Sequence, residues 1–189
     1  MLTNETSYGL PTLVQRTLVV FALLTIPLPG PSAVKGAEPV PQEIHPDLTS
    51  PKAIVSAFFL SGSGPAGPRD FVRMRSLFAP GARVITIRRP QTGPTTTVSR
   101  SIDEYIEGAQ RYLAENGNHE KITKTWVEQY ANLAHVFCSF EARKSPSEDV
   151  FYRGVGSFQL FWDGHRWWIL AAYWQGERPG EPLPPRYRE

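Results

Sequence analysis

The stretch GVGSFQLFWDGHRWWILAAYW, residues 154–174, carries the strongest short-range hairpin signal in the chain. Asp163-Gly164 supplies the left-handed backbone that a tight turn demands, and apolar and aromatic residues flank it on both sides. The arriving strand is expected over Val150–Trp162 and the departing strand over Arg166–Trp174, rich in Trp, Ile and Tyr. Working outward, Ser145-Pro-Ser-Glu-Asp149 is a polar loop that leads back to a strand over Ala134–Arg143. Asn132 marks the turn before it, and Lys121–Tyr130 alternates as a further strand. Four long strands joined by turns alone make an antiparallel meander.

The periodicity before this point is helical. Ser50-Pro51 opens a helix with a side-chain acceptor at the N-cap and a proline whose missing N–H costs nothing there. Ala53, Ile54, Ala57, Phe58 and Leu60 follow at helical spacing, and Gly62-Ser-Gly64-Pro65 ends the run. Asp70–Phe78 reads as a second, short helix. After the turn at Pro80-Gly81, strands are expected over Arg83–Arg88 and Thr95–Ser99. Ser101-Ile-Asp-Glu104 is a capping box, and the helix it opens runs through Tyr105, Ile106, Ala109, Tyr112 and Leu113 to Asn116-Gly117.

Helices first and a strand meander last predict an α+β domain, with three helices covering one face of a curved antiparallel sheet. The segments RDFVRMRSLFAPGARV, SIDEYIEGAQRYL, NLAHVFCSFEAR and GVGSFQLFWDGHRWWILAAYW, taken in that order, resemble those of nuclear transport factor 2-like (SnoaL-like) proteins. The resemblance covers about two-thirds of the chain and implies a cone whose mouth opens onto a pocket between sheet and helices. It also implies pairing into homodimers through the outer sheet face, where Phe137, Phe161 and the tryptophans supply aromatic area. Members of the fold include isomerase-, dehydratase- and cyclase-like enzymes and many binding modules, so fold alone does not choose the chemistry.

The ends read differently. Arg16 precedes the apolar run Leu18–Ile26, broken by Pro27, Pro29 and Pro31; about ten apolar residues suit an export signal and are too few for the roughly 20 that span a bilayer. Residues 1–37 are therefore expected to be a signal peptide or an N-terminal membrane anchor, with export to the periplasm or the exterior and no transmembrane span in the mature chain. Residues 38–48 form a Pro-rich linker, 49–175 the folded domain, and 176–189 a Pro-rich charged tail expected to bury little. A net charge of +2 with scattered basic residues offers no footprint for nucleic acid. Cys138 is the single cysteine, so no internal disulfide exists, and within an apolar strand it reads as a small buried hydrophobe.

Candidate site residues lie on the two central strands. His135, Phe137, Ser139, Glu141 and Arg143 share one face, and Arg153, Ser157, Gln159 and Phe161 share another. An odd-to-odd register merges them; a slip of one residue separates them. The merged face reads either as a pocket lining or as a solvated exterior with weak ion pairs. As a lining, Glu141 and His135 would be acid–base groups, while Arg143, Arg153, Ser157 and Gln159 would bind ligand. Asp70 is an alternative base in the isomerase-like members that the resemblance brings in, and equally an N-cap. Tyr105 and Trp174 are candidate ligand contacts near the cone mouth. The four histidines show no metal-ligand spacing, and no cofactor is expected.

Two functions follow. One is an exported domain holding a small hydrophobic ligand or serving as an accessory module. The other is a cofactor-independent lyase, isomerase or cyclase using His135, Glu141 or Asp70.

Overall fold

The computed structural model describes residues 45–90 and 92–188. The expected signal segment and most of the linker lie outside them. Three helices, α1 (Pro51–Gly62), α2 (Phe71–Ser76) and α3 (Ile102–Glu115), accompany six strands. These are β1 (Phe78–Arg88), β2 (Thr96–Arg100), β3 (His119–Tyr130), β4 (Leu133–Arg143), β5 (Val150–Trp162) and β6 (Trp167–Gly176). They form one sheet in the order β2-β1-β6-β5-β4-β3. The sheet is mixed, not wholly antiparallel: β1 lies parallel to β6. A strand that precedes α3 in sequence reaches the last strand by crossing over, which local turn signals do not reveal.

Local chemistry explains the helix starts. Ser50 accepts from the Ala53 N–H at 3.1 Å, and Asp70 accepts from the Arg73 N–H at 2.8 Å. At α3 both arms of the capping box form, with Ser101 and Glu104 serving each other's backbone donors at 3.2 and 2.7 Å. α1 buries Ile54, Val55, Phe58 and Phe59, whereas Leu60, expected on its apolar side, is 70% exposed. Twelve residues read at a spacing of three or four left two adjacent stripes open, and packing chose the one containing Phe59. At the β5–β6 turn Gly164 takes φ 100°, and Asp163 accepts from the backbone N–H groups of His165 and Arg166 and from the Trp168 indole.

Strand alternation divides the sheet into two faces. The helix-covered face carries Val136, Cys138, Phe140, Phe158, Leu160, Trp167, Ile169 and Ala172, all buried in one cluster with the helices. Trp168, next to Trp167, turns outward under the guanidinium of Arg166, 3.8 Å from the ring centre.

The C-terminal segment lies on the opposite face. Leu183 is buried, and the Tyr187 ring stands 5.5 Å from Trp126 and 5.8 Å from Phe137. Arg89 ties it down, reaching Glu181 and the Gly176 carbonyl at 2.5 Å each. Most of the segment is exposed, and Leu183 and Tyr187 are the apolar side chains that seat it on the sheet. The linker's last residues behave likewise, with Leu48 buried and Asp47 paired to Arg73.

Candidate functional site

A cavity of about 280 Å³ opens between the helices and the inner sheet face. Its wall is aromatic: Phe58 and Phe59 from α1, Tyr105 and Tyr112 from α3, Phe140, Tyr152 and Trp174 from the sheet. These rings form a connected shell, with Tyr105 edge-on to Trp174 at 5.6 Å, Phe59 to Phe140 at 5.1 Å and Phe140 to Tyr152 at 5.9 Å. Gly176 makes room for Tyr152, because a β-carbon there would collide with that ring. Gly117 similarly lets the Lys144 carbonyl approach at the rim.

One acid stands in this wall. Glu120 opens β3 opposite Ala142, and Ala142 in turn pairs with Tyr152 on β5. Three hydrogen bonds to the end of α1 hold this stretch in place. The Glu120 backbone N–H donates to Ser63 Oγ at 3.0 Å, and the Gly64–Asn118 bridge beside it closes at 2.8 and 2.9 Å. Its carboxylate lies near Gly62, within 3.6 Å of where a β-carbon would stand. Burial pushes the Glu120 carboxyl up to about 7, against the opposing hydrogen bond from the Asn118 side chain. Glu120 in turn adds to the effect of burial on its neighbours. The Tyr105 hydroxyl rises well above its ordinary value, the Tyr152 hydroxyl rises despite Arg89, and the Cys138 thiol is pushed up to about 12. Cys138 is thus a buried thiol with no thiolate character at neutral pH.

The structure distributes the sequence candidates over both faces. Tyr105 and Trp174 line the cavity. The odd-to-odd register holds, with His135 opposite Gln159, Phe137 opposite Ser157 and Glu141 directly opposite Arg153. Yet this merged surface faces away from the helices. His135, Glu141, Arg143, Arg153, Ser157 and Gln159, considered as a pocket lining, do not line this inner cavity, because the even-numbered residues of both strands occupy the cavity side; Ser157 lines a separate hollow on the outer face instead. His135 Nε2 meets Ser157 Oγ at 2.9 Å, Glu141 pairs with Arg143 at 2.6 Å, and Arg153 reaches Glu177 at 3.5 Å rather than Glu141. Asp70 is occupied as the cap of α2 and does not line the cavity.

Glu120 escaped sequence reasoning because one acid at the start of a strand looks like a polar boundary. The parity of β3 also changes at a bulge between Ile122 and Lys124. Before it, Glu120 and Ile122 share the face of Ala142 and Phe140; after it, Trp126 joins Phe137 on the outer face. A second hollow, of about 380 Å³, lies under the C-terminal segment. Of its two acids, Glu177 already serves Arg153, Arg188 at 3.9 Å and the Leu183 N–H at 3.1 Å, and Glu181 pairs with Arg89 and Arg178. Only the inner cavity holds an acid without a cationic partner among the described residues.

No family model and no curated protein matches the chain. Solved structures do. One is a protein of unknown function with a cystatin-like fold from Nostoc punctiforme, with TM-score 0.53 and 8% identity over 67% of this chain and 87% of that one. Another is described as a candidate calcium/calmodulin-dependent protein kinase type II association domain from Thiobacillus denitrificans, with TM-score 0.52 and 11% identity over 71% and 100%. A third is an NTF2-like protein of unknown function from Pseudomonas putida, with TM-score 0.50 and 9% identity over 66% and 82%. At such identities the agreement concerns backbone path alone. The described domain therefore has the nuclear transport factor 2-like fold.

Proposed function

We propose that this domain binds a small, largely apolar molecule in its cone, and that Glu120 provides the polar contact that orients it. The observation that carries the reading is the aromatic cavity with a single unpaired acid in its wall. Few polar groups in a mostly apolar concave wall is the usual constitution of a small-molecule site, and about 280 Å³ lies just below the usual lower bound of roughly 300 Å³, which suits a small ligand. Native mass spectrometry of the purified full chain should show a co-purifying mass that Ala109→Trp, which fills the cavity from α3, removes. A spectrum without such a mass, or one indifferent to that substitution, would sink the reading.

Acid–base catalysis is the second reading, now centred on Glu120 instead of His135, Glu141 or Asp70. A carboxyl titrating near 7 can both take and return a proton at neutral pH. Under this reading the wild-type protein converts the captured molecule and Glu120→Gln only binds it; recovery of unchanged ligand from both excludes it.

Export of the domain rests on the apolar run at 18–26, and among the described residues no helix is long and apolar enough to cross a membrane. Homodimerisation rests on the outer face, where Leu133, Phe161 and Leu170 are exposed. Sedimentation at micromolar concentration tests it: a monomeric mass ends the idea.

A further inference from the structure

A cone that holds small molecules can select them by charge, and the groups around Glu120 bear on which charge. The wall contributes one acid and no base. From α3 it is faced by Tyr105 and, at the rim, Tyr112; β4 brings Cys138, β5 brings Tyr152, and α1, α2 and β6 bring apolar Phe58, Met74 and Trp174. The nearby cations are engaged elsewhere. Arg69 donates to the carbonyls of Gly62, Gly64 and Gly67, and Arg89 is held by Glu181 and the Gly176 carbonyl.

Lys144 stands at the rim. Its ammonium donates to Tyr112 Oη at 2.5 Å and Asn116 Oδ1 at 3.0 Å, and lies 4.7 and 4.6 Å from the ring centres of Tyr112 and Phe151. The protein's own cation thus already rests on aromatic faces at the entrance. Inside, the rings of Tyr105, Tyr152 and Trp174 line the same cavity as a carboxylate that lacks a countercharge.

Resting on the reading of the cone as a ligand site, we infer that its ligand is an organic monocation, an alkyl- or arylammonium, whose head sits against Glu120 among Tyr105, Tyr152 and Trp174. The ring quadrupoles attract the charge, the carboxylate completes the pair, and the rest of the wall accepts the apolar body. A neutral ligand would leave Glu120 with only the Asn118 side chain and no countercharge, and an anion would meet it directly.

Calorimetric titration of the full chain tests this with three probes of similar size: benzyltrimethylammonium, its uncharged isostere neopentylbenzene, and phenylacetate. The ammonium should bind roughly tenfold or more tightly than the hydrocarbon. Glu120→Gln should remove roughly that factor, and Lys144→Ala should not weaken ammonium binding. Affinity should also fall as pH drops from 8 to 5.5, because a protonated carboxyl must release its proton before it can pair with the cation. Three results overturn the inference. If the hydrocarbon binds as well as the ammonium and Glu120→Gln changes nothing, the cation reading falls while the cavity reading stands. If phenylacetate binds best and Lys144→Ala abolishes it, the rim and not Glu120 selects charge, and again only the cation reading falls. If none of the three binds, both readings fall together.

Discussion

The two faces of one sheet use the same strands for opposite ends. On the outer face charges are matched. Glu141 meets Arg143, Glu177 meets Arg153 and Arg188, and His135 meets the Ser157 hydroxyl. On the inner face a single carboxyl stands among rings with no cation beside it, and its proton affinity changes accordingly. The outer face holds more ionisable groups, yet the inner one holds the group in an unusual state. Density of charged residues therefore misdirects a search for function, whereas an uncompensated charge in an apolar wall points to it.

The largest difference between the faces should appear on β5. Phe158 is fully buried and touches Phe58 and Phe59 with ring centres 5.6 and 5.9 Å away, while Phe161, three residues on, is 41% exposed. Phe158→Ala should cost about 3–5 kcal/mol in urea unfolding, and Phe161→Ala under about 1 kcal/mol. Equal losses would mean that the outer face is packed as tightly as the core.

Glu120→Gln should act with the opposite sign. The folded-state value of about 7 exceeds the ordinary 4.5, so the folded state holds this proton more tightly than the unfolded chain. That contribution is fully present below pH 4.5 and is lost as pH rises through 7. The glutamine variant lacks this loss and should be more stable than wild type by up to roughly 3 kcal/mol at pH 8, with no such advantage at pH 4. A pH-independent difference would place the carboxylate in water.

Smaller effects belong to the outer face. Tyr187→Ala removes the ring that bridges Trp126 and Phe137 and should cost about 1 kcal/mol. Its sharper readout is increased quenching of Trp126 fluorescence by iodide. Glu141→Ala breaks a pair whose side chains are 15% and 29% exposed, and should cost no more than about 1 kcal/mol. A loss of about 3 kcal/mol or more would show that pair to be desolvated. Smallest of all, removal of residues 1–40 should leave the unfolding free energy of the domain within about 0.5 kcal/mol of wild type in urea titration.

Much of the architecture is legible in the sequence. Ser50-Pro51, the Ser101–Glu104 capping box and Asp163-Gly164 announce their elements because each satisfies or shapes backbone within four residues of itself. The alternation of β4 and β5 was equally plain, as was the consequence of an odd-to-odd register. Alternation also set the apolar residues Val136, Cys138, Phe140 and Ala142 apart as core, and they are buried. What it left open was whether the polar side with Glu141 and Arg143 lined a pocket or faced outward, and only the packing of the helices on the other face decided that. The pairing of β1 with β6 and the seat of Leu183 and Tyr187 depend on residues far apart in the chain, where no local signal reaches. Glu120 is the clearest case. Its strand was readable, but its state was not. A carboxyl's proton affinity is set by what surrounds it, and the wall around Glu120 is assembled from six separate elements across a bulge that reverses the parity of its own strand.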